Sequence, residues 1–164
     1  MPEQEPTHSA FATFYEQEHG DLFTALWLVT RDRQEAEEIL QDAFLKLWER
    51  WDQVSGLDDP TGYLYRTAMN GLRNRVRRAK VALRKTAGLM PPDDGLARVE
   101  ERESIVRALA PLTPGQRSAV VLTHVLGYTS EEAAGLLGVS ASTVRVQAGR
   151  GRAQMKLAMG EDHE

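Results

Sequence analysis

The sequence predicts an all-α protein: two small helical domains joined by a flexible linker, with a helix-turn-helix in the second domain. Apolar residues recur at intervals of three and four along most of the chain, which is the period of an amphipathic helix. Proline, glycine and capping residues divide this pattern into separate helices. The stretch GLMPPDDG, residues 88–95, cannot hold a helix and marks the boundary. The predicted domains are residues 8–85 and 99–159, and the linker is 86–98.

The first two predicted helices each carry an apolar stripe. The first helix spans residues 9–30, and its stripe is Phe11, Phe14, Tyr15, Leu22, Phe23, Leu26 and Val29. Asp32 lies three residues before Glu35, a spacing typical of a helix N-cap, so a second helix is expected to follow. One face of that helix carries Ala36, Leu40, Ala43, Phe44, Leu47 and Trp51. Its other side carries Glu37, Glu38, Gln41, Asp42 and Leu45.

A third helix is expected after a break at residues 52–62, DQVSGLDDPTG. Asp59 and Pro60 restart the helix, because a proline at the first helical position removes no intrahelical hydrogen bond. The apolar stripe of this helix is Tyr63, Leu64, Thr67, Ala68, Leu72 and Val76. A separate polar stripe at helical spacing is Arg66, Asn70, Arg73, Arg77 and Lys80.

Capping signals divide the second domain. A helix over residues 99–110 is stopped by Pro111. Thr113 with Gln116, and Thr129 with Glu132, have the spacing of a capping box, and the second pair opens a helix over 130–137.

The turn after that helix has the chemistry of a helix-turn-helix. Gly138 takes the turn because glycine tolerates a positive φ, and Val139 is expected to pack inside. Ser140 caps a last helix over residues 141–158.

The composition excludes several classes of protein. The chain has no cysteine, so it can hold neither a disulfide nor a thiolate metal site, and its four histidines show no ligand spacing. The acidic N-terminus is not a signal peptide, and no apolar run approaches the ~18 residues of a membrane span. We therefore expect a cytoplasmic protein without membrane insertion, metal or cofactor.

Charge is segregated along the chain, although the net charge is only −4. Residues 66–85 contain eight Arg or Lys and no acid, whereas residues 35–42 contain four acids and no base. This pattern suggests that different faces of the protein meet different partners.

The last helix has the residue types of a DNA-recognition helix. Short hydroxyl side chains and helix-terminal amides suit phosphates, and Arg and Gln can reach base edges in the major groove. The candidates are Ser142, Thr143, Arg145, Gln147, Arg150 and Arg152. The alternative is a surface helix whose arginines only face solvent, but the capped helix and glycine turn before it favour DNA contact.

Two glycines, Gly149 and Gly151, stand between these arginines and disfavour a helix by ~0.5–1 kcal/mol each. Either packing keeps the helix straight through them, or it frays there, or a glycine allows a neighbouring backbone to come close.

Three motifs together resemble the extracytoplasmic-function sigma factors of bacterial RNA polymerase. EEILQDAFLKLW (37–48) is similar to their core-binding region, and YLYRTAMNGLRNRVRR (63–78) to their promoter-melting region. Residues 112–156 are similar to their C-terminal promoter-reading domain. The resemblance implies four helices in each domain and a subunit that gives core RNA polymerase its specificity for promoter DNA. It leaves an anti-sigma factor open as a further partner.

The resemblance also implies roles for particular residues. The polymerase-binding candidates are Glu38, Leu40, Gln41 and Phe44, of which Phe44 is more simply explained as core. The melting candidates are Tyr63, Arg66, Asn70, Arg73 and Arg77, since aromatic and Arg side chains stack on unpaired bases and neutralise phosphates. The loop at 51–57 would take a flipped-out base, with Trp51 packed beneath it. Departures from the family pattern fall at Tyr63, Ala133, Gln147, Gly149 and Gly151.

Two other classes of function compete with this interpretation. One is a helix-turn-helix regulator that binds duplex DNA without polymerase, which would need neither the basic third helix nor the motif around Gln41. The other is an enzyme, but the sequence has no nucleophile triad, P-loop or metal spacing, so no catalytic residue is assigned.

Overall fold

The computed structural model describes residues 4–85 and 100–161, and every regular element in them is a helix. The all-α prediction is therefore confirmed. The helices before the gap are α1 (Gln4–Thr30), α2 (Arg33–Glu49), α3 (Trp51–Val54) and α4 (Pro60–Lys85). Those after it are α5 (Glu100–Leu109), α6 (Pro114–Val120), a π-helical segment (Val121–Val125), α7 (Ser130–Leu137) and α8 (Ala141–Glu161). The predicted linker lies outside the described residues.

The chain forms two compact units, as expected. One contains α1 up to Thr24 together with α2, α3 and α4, and the other contains Ala25–Arg33 together with α5 to α8. The predicted domain bounds 8–85 and 99–159 stay a prediction.

The first unit is built on an aromatic and aliphatic core. Phe11 of α1 lies with its ring centroid 4.8 Å from that of Trp48 and 5.3 Å from that of Trp51. The predicted apolar face of α2 is buried, and Ile39, which the pattern did not include, joins it with 2% exposure. From α4 the core receives Leu64, Tyr65, Ala68, Met69 and Leu72.

Two predicted boundaries in this unit were wrong. α1 begins at Gln4 and not at residue 9. The break expected at 52–62 is shorter, because Trp51–Val54 forms the helical turn α3, and Trp51 and Val54 from that turn are buried. The restart of α4 is confirmed: Pro60 is its first residue, and Asp59 Oδ1 accepts a 2.8 Å hydrogen bond from the amide of Gly62.

Local capping chemistry shapes the second unit as the sequence predicts. Thr113 with Gln116 and Thr129 with Glu132 form reciprocal capping boxes. Gly138 closes α7 at φ 66°, in the left-handed region, and the Ser140 hydroxyl accepts a 3.2 Å hydrogen bond from the amide of Thr143. The prediction that Val139 packs inside was wrong: it is 44% exposed. Val144, one turn into α8, is buried instead.

The last helix continues through both glycines. At Gly151 a Cβ atom would lie 2.7 Å from Val120 Cγ2 and 3.1 Å from Leu112 Cδ2, so this glycine permits α8 to approach α6 closely. At Gly149 a Cβ would have no described heavy atom within 4 Å. Close packing therefore explains Gly151 but not Gly149.

Candidate protein and nucleic-acid interfaces

The exposed face of α2 carries acidic side chains and one large apolar side chain. Glu38 and Asp42 have side chains 47% and 62% exposed, and Gln41 is also exposed. Leu45 lies among them with 61% exposure, a large apolar side chain in contact with solvent. We call Glu38, Gln41, Asp42 and Leu45 the acidic face; its acids suit a basic surface, and Leu45 adds apolar area to bury.

Two of the predicted polymerase-binding residues lie beneath this face. Leu40 is 7% exposed and Phe44 is 5% exposed. The ring of Phe44 contacts the aromatic cluster, with its centroid 4.7 Å from that of Tyr15. Both side chains are core in this structure, as the sequence analysis favoured for Phe44. Leu45 was not among the predicted polymerase-binding residues, although its helical spacing from Glu38, Gln41 and Asp42 places it on the same face.

One arginine of α4 reaches across to the acidic face. Arg75 Nη1 lies 2.7 Å from Glu38 Oε2, and its Nη2 lies 3.4 Å from Asp42 Oδ2. The other carboxylate oxygen of Glu38 accepts a 3.2 Å hydrogen bond from the Gln34 amide. Hydrogen bonds from Arg75 and then Gln34 lower the pKa of Glu38 below its ordinary value, and the bond to Glu38 raises the pKa of Arg75.

The polar stripe of α4 is exposed on a different side of that helix. Arg66, Asn70, Arg73 and Arg77 are all exposed and recur at intervals of four, three and four residues. Arg73 donates a hydrogen bond to the Asn70 side-chain oxygen. Arg75 lies about half a helical turn away from the centre of this basic stripe. The predicted grouping of these four side chains is confirmed; the side chain of Lys80 lies outside the described residues.

The two aromatic candidates near this stripe are not equally accessible. Tyr63 is partly exposed at the start of α4. Trp51 is 6% exposed and packs against Phe14, with ring centroids 5.2 Å apart. Trp51 is therefore part of the core, as expected.

A polar groove lies beside the acidic face. It is a cavity of about 90 Å³ between α2 and α4. Its polar lining is Asp42, Lys46, Thr67, Asn74, Arg75 and Arg78.

The exposed surface of α8 combines small polar, apolar and basic side chains. Ser142, Thr143, Arg150 and Arg152 are exposed, and so is Val146, at 50%. The buried side of the same helix carries Val144, Ala148 and Gly151. Sequence reasoning missed Val146, which lies nearly opposite Val144 on the helix and so faces away from the core.

The other two α8 candidates contact neighbouring helices. Arg145 Nη1 lies 3.0 Å from Glu131 Oε1 of α7. Gln147 is partly buried, and its side-chain amide lies 3.9 Å from where a Cβ on Gly115 of α6 would be. The hydroxyl of Ser140 is 2.8 Å from that of Thr143 and 3.0 Å from that of Ser142, so the first turn presents linked hydroxyls.

The described part of the chain contains neither a cluster of metal-binding side chains nor a membrane-spanning helix. No group of three or more His, Asp or Glu side chains there could hold a metal ion. None of its helices is long and apolar enough to span a membrane.

Two family models match the chain. The model described as "Sigma-70 region 2" matches residues 14–81, and the one described as "Sigma-70, region 4" matches residues 102–155. The acidic face and the basic stripe fall within the first match, and α8 up to Met155 falls within the second.

Characterised proteins of similar sequence carry related names. The chain is 32% identical over 154 residues to the ECF RNA polymerase sigma factor SigM of Mycobacterium tuberculosis, covering 92% of this chain and 78% of that protein. It is 32% identical over 127 residues to the RNA polymerase sigma-E factor of Streptomyces coelicolor, covering 76% and 72%.

Solved structures share the fold. The sigma factor RpoE of Bartonella quintana, solved with the anti-sigma factor NepR, matches with a TM-score of 0.77 at 18% identity, over 92% of this chain and 97% of that one. CnrH, solved with the cytosolic domain of CnrY, matches with a TM-score of 0.65 at 25% identity, over 94% and 90%.

Proposed function

The chain belongs to the extracytoplasmic-function family of RNA polymerase sigma factors, and we propose that its acidic face docks on core polymerase while α4 and α8 contact the promoter. It is an alternative sigma factor that directs transcription initiation by binding core RNA polymerase and promoter DNA. We also propose that it acts in the cytoplasm, with residues 8–85 and 99–159 as its domains.

The observation that carries the assignment of surfaces is the separation of charge within one unit. The acidic face of α2 and the basic stripe of α4 occupy different surfaces, with opposite signs. A single nucleic-acid-binding surface would not need an exposed acidic one beside it. Opposite charges suit one basic protein partner and one polyanionic partner at the same time.

Docking is proposed to use Glu38, Gln41, Asp42 and Leu45 directly. The buried Leu40 and Phe44 support these side chains from below and hold the helix in place. Leu45 supplies exposed apolar area that the contact can bury.

Promoter melting is assigned to the basic stripe. Arg66, Arg73 and Arg77 can neutralise the phosphates of an unpaired strand, while Asn70 and Tyr63 offer hydrogen bonding and stacking to bases. Reading of the upstream promoter element is assigned to α8, with Ser142, Thr143, Val146 and Arg150 facing outward. Arg145, Gln147 and Arg152 lie at its flanks and suit phosphates or neighbouring bases.

An anti-sigma factor is proposed as a further partner. Support comes from CnrH, a structural relative solved with the cytosolic domain of the anti-sigma factor CnrY.

The experiment combines binding with transcription. We expect the purified protein to bind core polymerase tightly, to bind free duplex DNA weakly at ~150 mM salt, and to support run-off transcription from genomic fragments. Glu38→Ala with Gln41→Ala should reduce co-purification with core polymerase. Both residues are exposed, so unfolding free energy should change by about 0.5 kcal/mol or less. Unchanged co-purification would remove the docking assignment. Strong sequence-specific binding without polymerase would favour a regulator that acts alone.

A further inference from the structure

Arg75 stands apart from the other arginines of α4. Arg66, Arg73 and Arg77 share the exposed basic stripe, whereas Arg75 points towards α2 and its side chain is only 29% exposed. Its guanidinium bridges two carboxylates that are one helical turn apart on the acidic face. A planar guanidinium can hold two acceptors at once, which a lysine ammonium does with less geometric control.

We propose that Arg75 is a positioning residue for polymerase docking: from α4 it fixes the carboxylates of Glu38 and Asp42 on the acidic face before the polymerase binds. This inference rests on the proposed function of that face. It assigns to Arg75 a role distinct from DNA contact, despite its place in the middle of the basic helix.

The geometry supports positioning without blocking the face. Glu38 is held through both oxygens, by Arg75 on one and Gln34 on the other. Each carboxylate oxygen has two lone pairs, so each retains one for a further donor. The side chains of Glu38 and Asp42 remain 47% and 62% exposed, so a basic partner can still reach them. Their order before binding reduces the entropy that docking must remove.

A purely structural role predicts that loss of Arg75 destabilises the fold. We expect instead that the protein stays folded, because an exposed ion pair contributes little to folding stability. A competing role also predicts a different outcome. If Arg75 only blocked the carboxylates, its removal would make the acidic face more negative and raise the affinity for a basic partner.

The test uses the full chain and core RNA polymerase. The variants are Arg75→Ala, Arg75→Lys and the matched control Arg78→Ala, which removes the same charge from the same helix beside the same groove. Affinity for core polymerase is measured by fluorescence anisotropy of the labelled chain, and folding by circular dichroism. Because ordering a side chain at an interface costs roughly a two- to tenfold factor in affinity, we expect Arg75→Ala to weaken binding by that factor. Arg75→Lys should recover part of the loss, and Arg78→Ala should change binding less than Arg75→Ala.

A second background separates positioning from direct contact. In the variant with Glu38→Gln and Asp42→Asn, Arg75→Ala should cause no further loss of affinity, because its targets have lost their charge. Equal losses in both backgrounds would overturn the proposal and indicate that Arg75 contacts polymerase itself. Unchanged or tighter binding of Arg75→Ala in the native background would also overturn it.

A readout without polymerase separates this inference from the proposed function. Carbon-detected NMR titration should show the pKa of Glu38 rising towards its ordinary value in Arg75→Ala but not in Arg78→Ala. No rise would overturn the contact on which the inference stands. Failure of the wild-type chain to bind core polymerase would instead overturn the docking function, whatever the titration shows.

Discussion

The two long basic helices, α4 and α8, distribute their charge differently. In α4 the cations Arg66, Arg73 and Arg77 share one exposed stripe. In α8, Arg145 and Arg152 lie on one flank, whereas Arg150 lies on the outward face with hydroxyls and the apolar Val146. A continuous stripe of like charge suits a phosphate chain of any sequence, whereas varied chemistry on one face suits discrimination between base edges. The contrast supports the proposed division between α4 as the helix that holds an unpaired strand and α8 as the helix that reads sequence.

The largest expected effect breaks the stripe of α4. Arg66→Ala with Arg73→Ala should slow open-complex formation by at least about tenfold, because a hydrogen bond to a charged group contributes about 1.5–3 kcal/mol. Closed-complex binding should change less, and a pre-melted promoter should restore part of the activity. Permanganate footprinting and run-off assays measure these steps. Equal losses of activity on melted and duplex templates would mean that the stripe makes only general phosphate contacts.

The next test sharpens the contrast at α8. Arg150→Ala should relax base preference at one or two positions of the upstream element, since a bidentate Arg–guanine contact is worth about 1–3 kcal/mol. Arg152→Ala, at the flank of α8, should weaken binding to all promoter sequences alike. Selection of functional elements from a randomised promoter pool measures both. If the wild type and both variants select the same elements, the role assigned to the outward face is wrong.

A third test concerns the close packing of α8 on α6. Gly151→Ala should lower the free energy of unfolding by about 1–3 kcal/mol, because a Cβ would clash with the buried, β-branched Val120. Gly149→Ala should be neutral or stabilising by up to ~1 kcal/mol. Urea denaturation of the two variants provides a matched pair. Equal effects would mean that α8 does not approach α6 as closely as the structure shows.

The smallest effect is expected at the ion pair between α7 and α8. A double-mutant cycle with Arg145→Ala and Glu131→Ala should give a coupling of only about 0.2–1 kcal/mol in stability, because both side chains are more than half exposed. Thermal unfolding measures the coupling. A much larger value would indicate that Arg145 serves mainly to join the two helices and is not available to DNA.

The features predicted correctly from the sequence are those decided by neighbouring residues. The two capping boxes and the left-handed Gly138 depend on side chains within a few positions, so their spacing was sufficient. The close packing at Gly151 involves Leu112 and Val120, far earlier in the chain, and spacing left it open. Val139 was misplaced for a related reason: the pattern shows that it is apolar but not which side chain the turn directs inward.

The same difference between neighbouring and distant residues decides which parts of the candidate interfaces could be predicted. The stripe of α4 follows from helical periodicity alone, and its four described members are exposed together. The bridge from Arg75 to Glu38 joins residues 37 positions apart, and only the packing of α4 on α2 brings them into contact. The eight basic residues between positions 66 and 85 gave no sign that one of them, Arg75, contacts the acidic face.

The open space at Gly149 has a consequence for the evolution of new promoter preferences. Position 149 lies on the outward side of α8, near Val146 and away from Val144, and a side chain there would meet no described atom within 4 Å. Position 149 is therefore an unused site on the proposed DNA-reading surface, where a substitution can add a contact without disturbing the fold. A library restricted to positions 142, 143, 146, 149 and 150 should therefore yield sigma factors with altered promoter choice at little cost in stability.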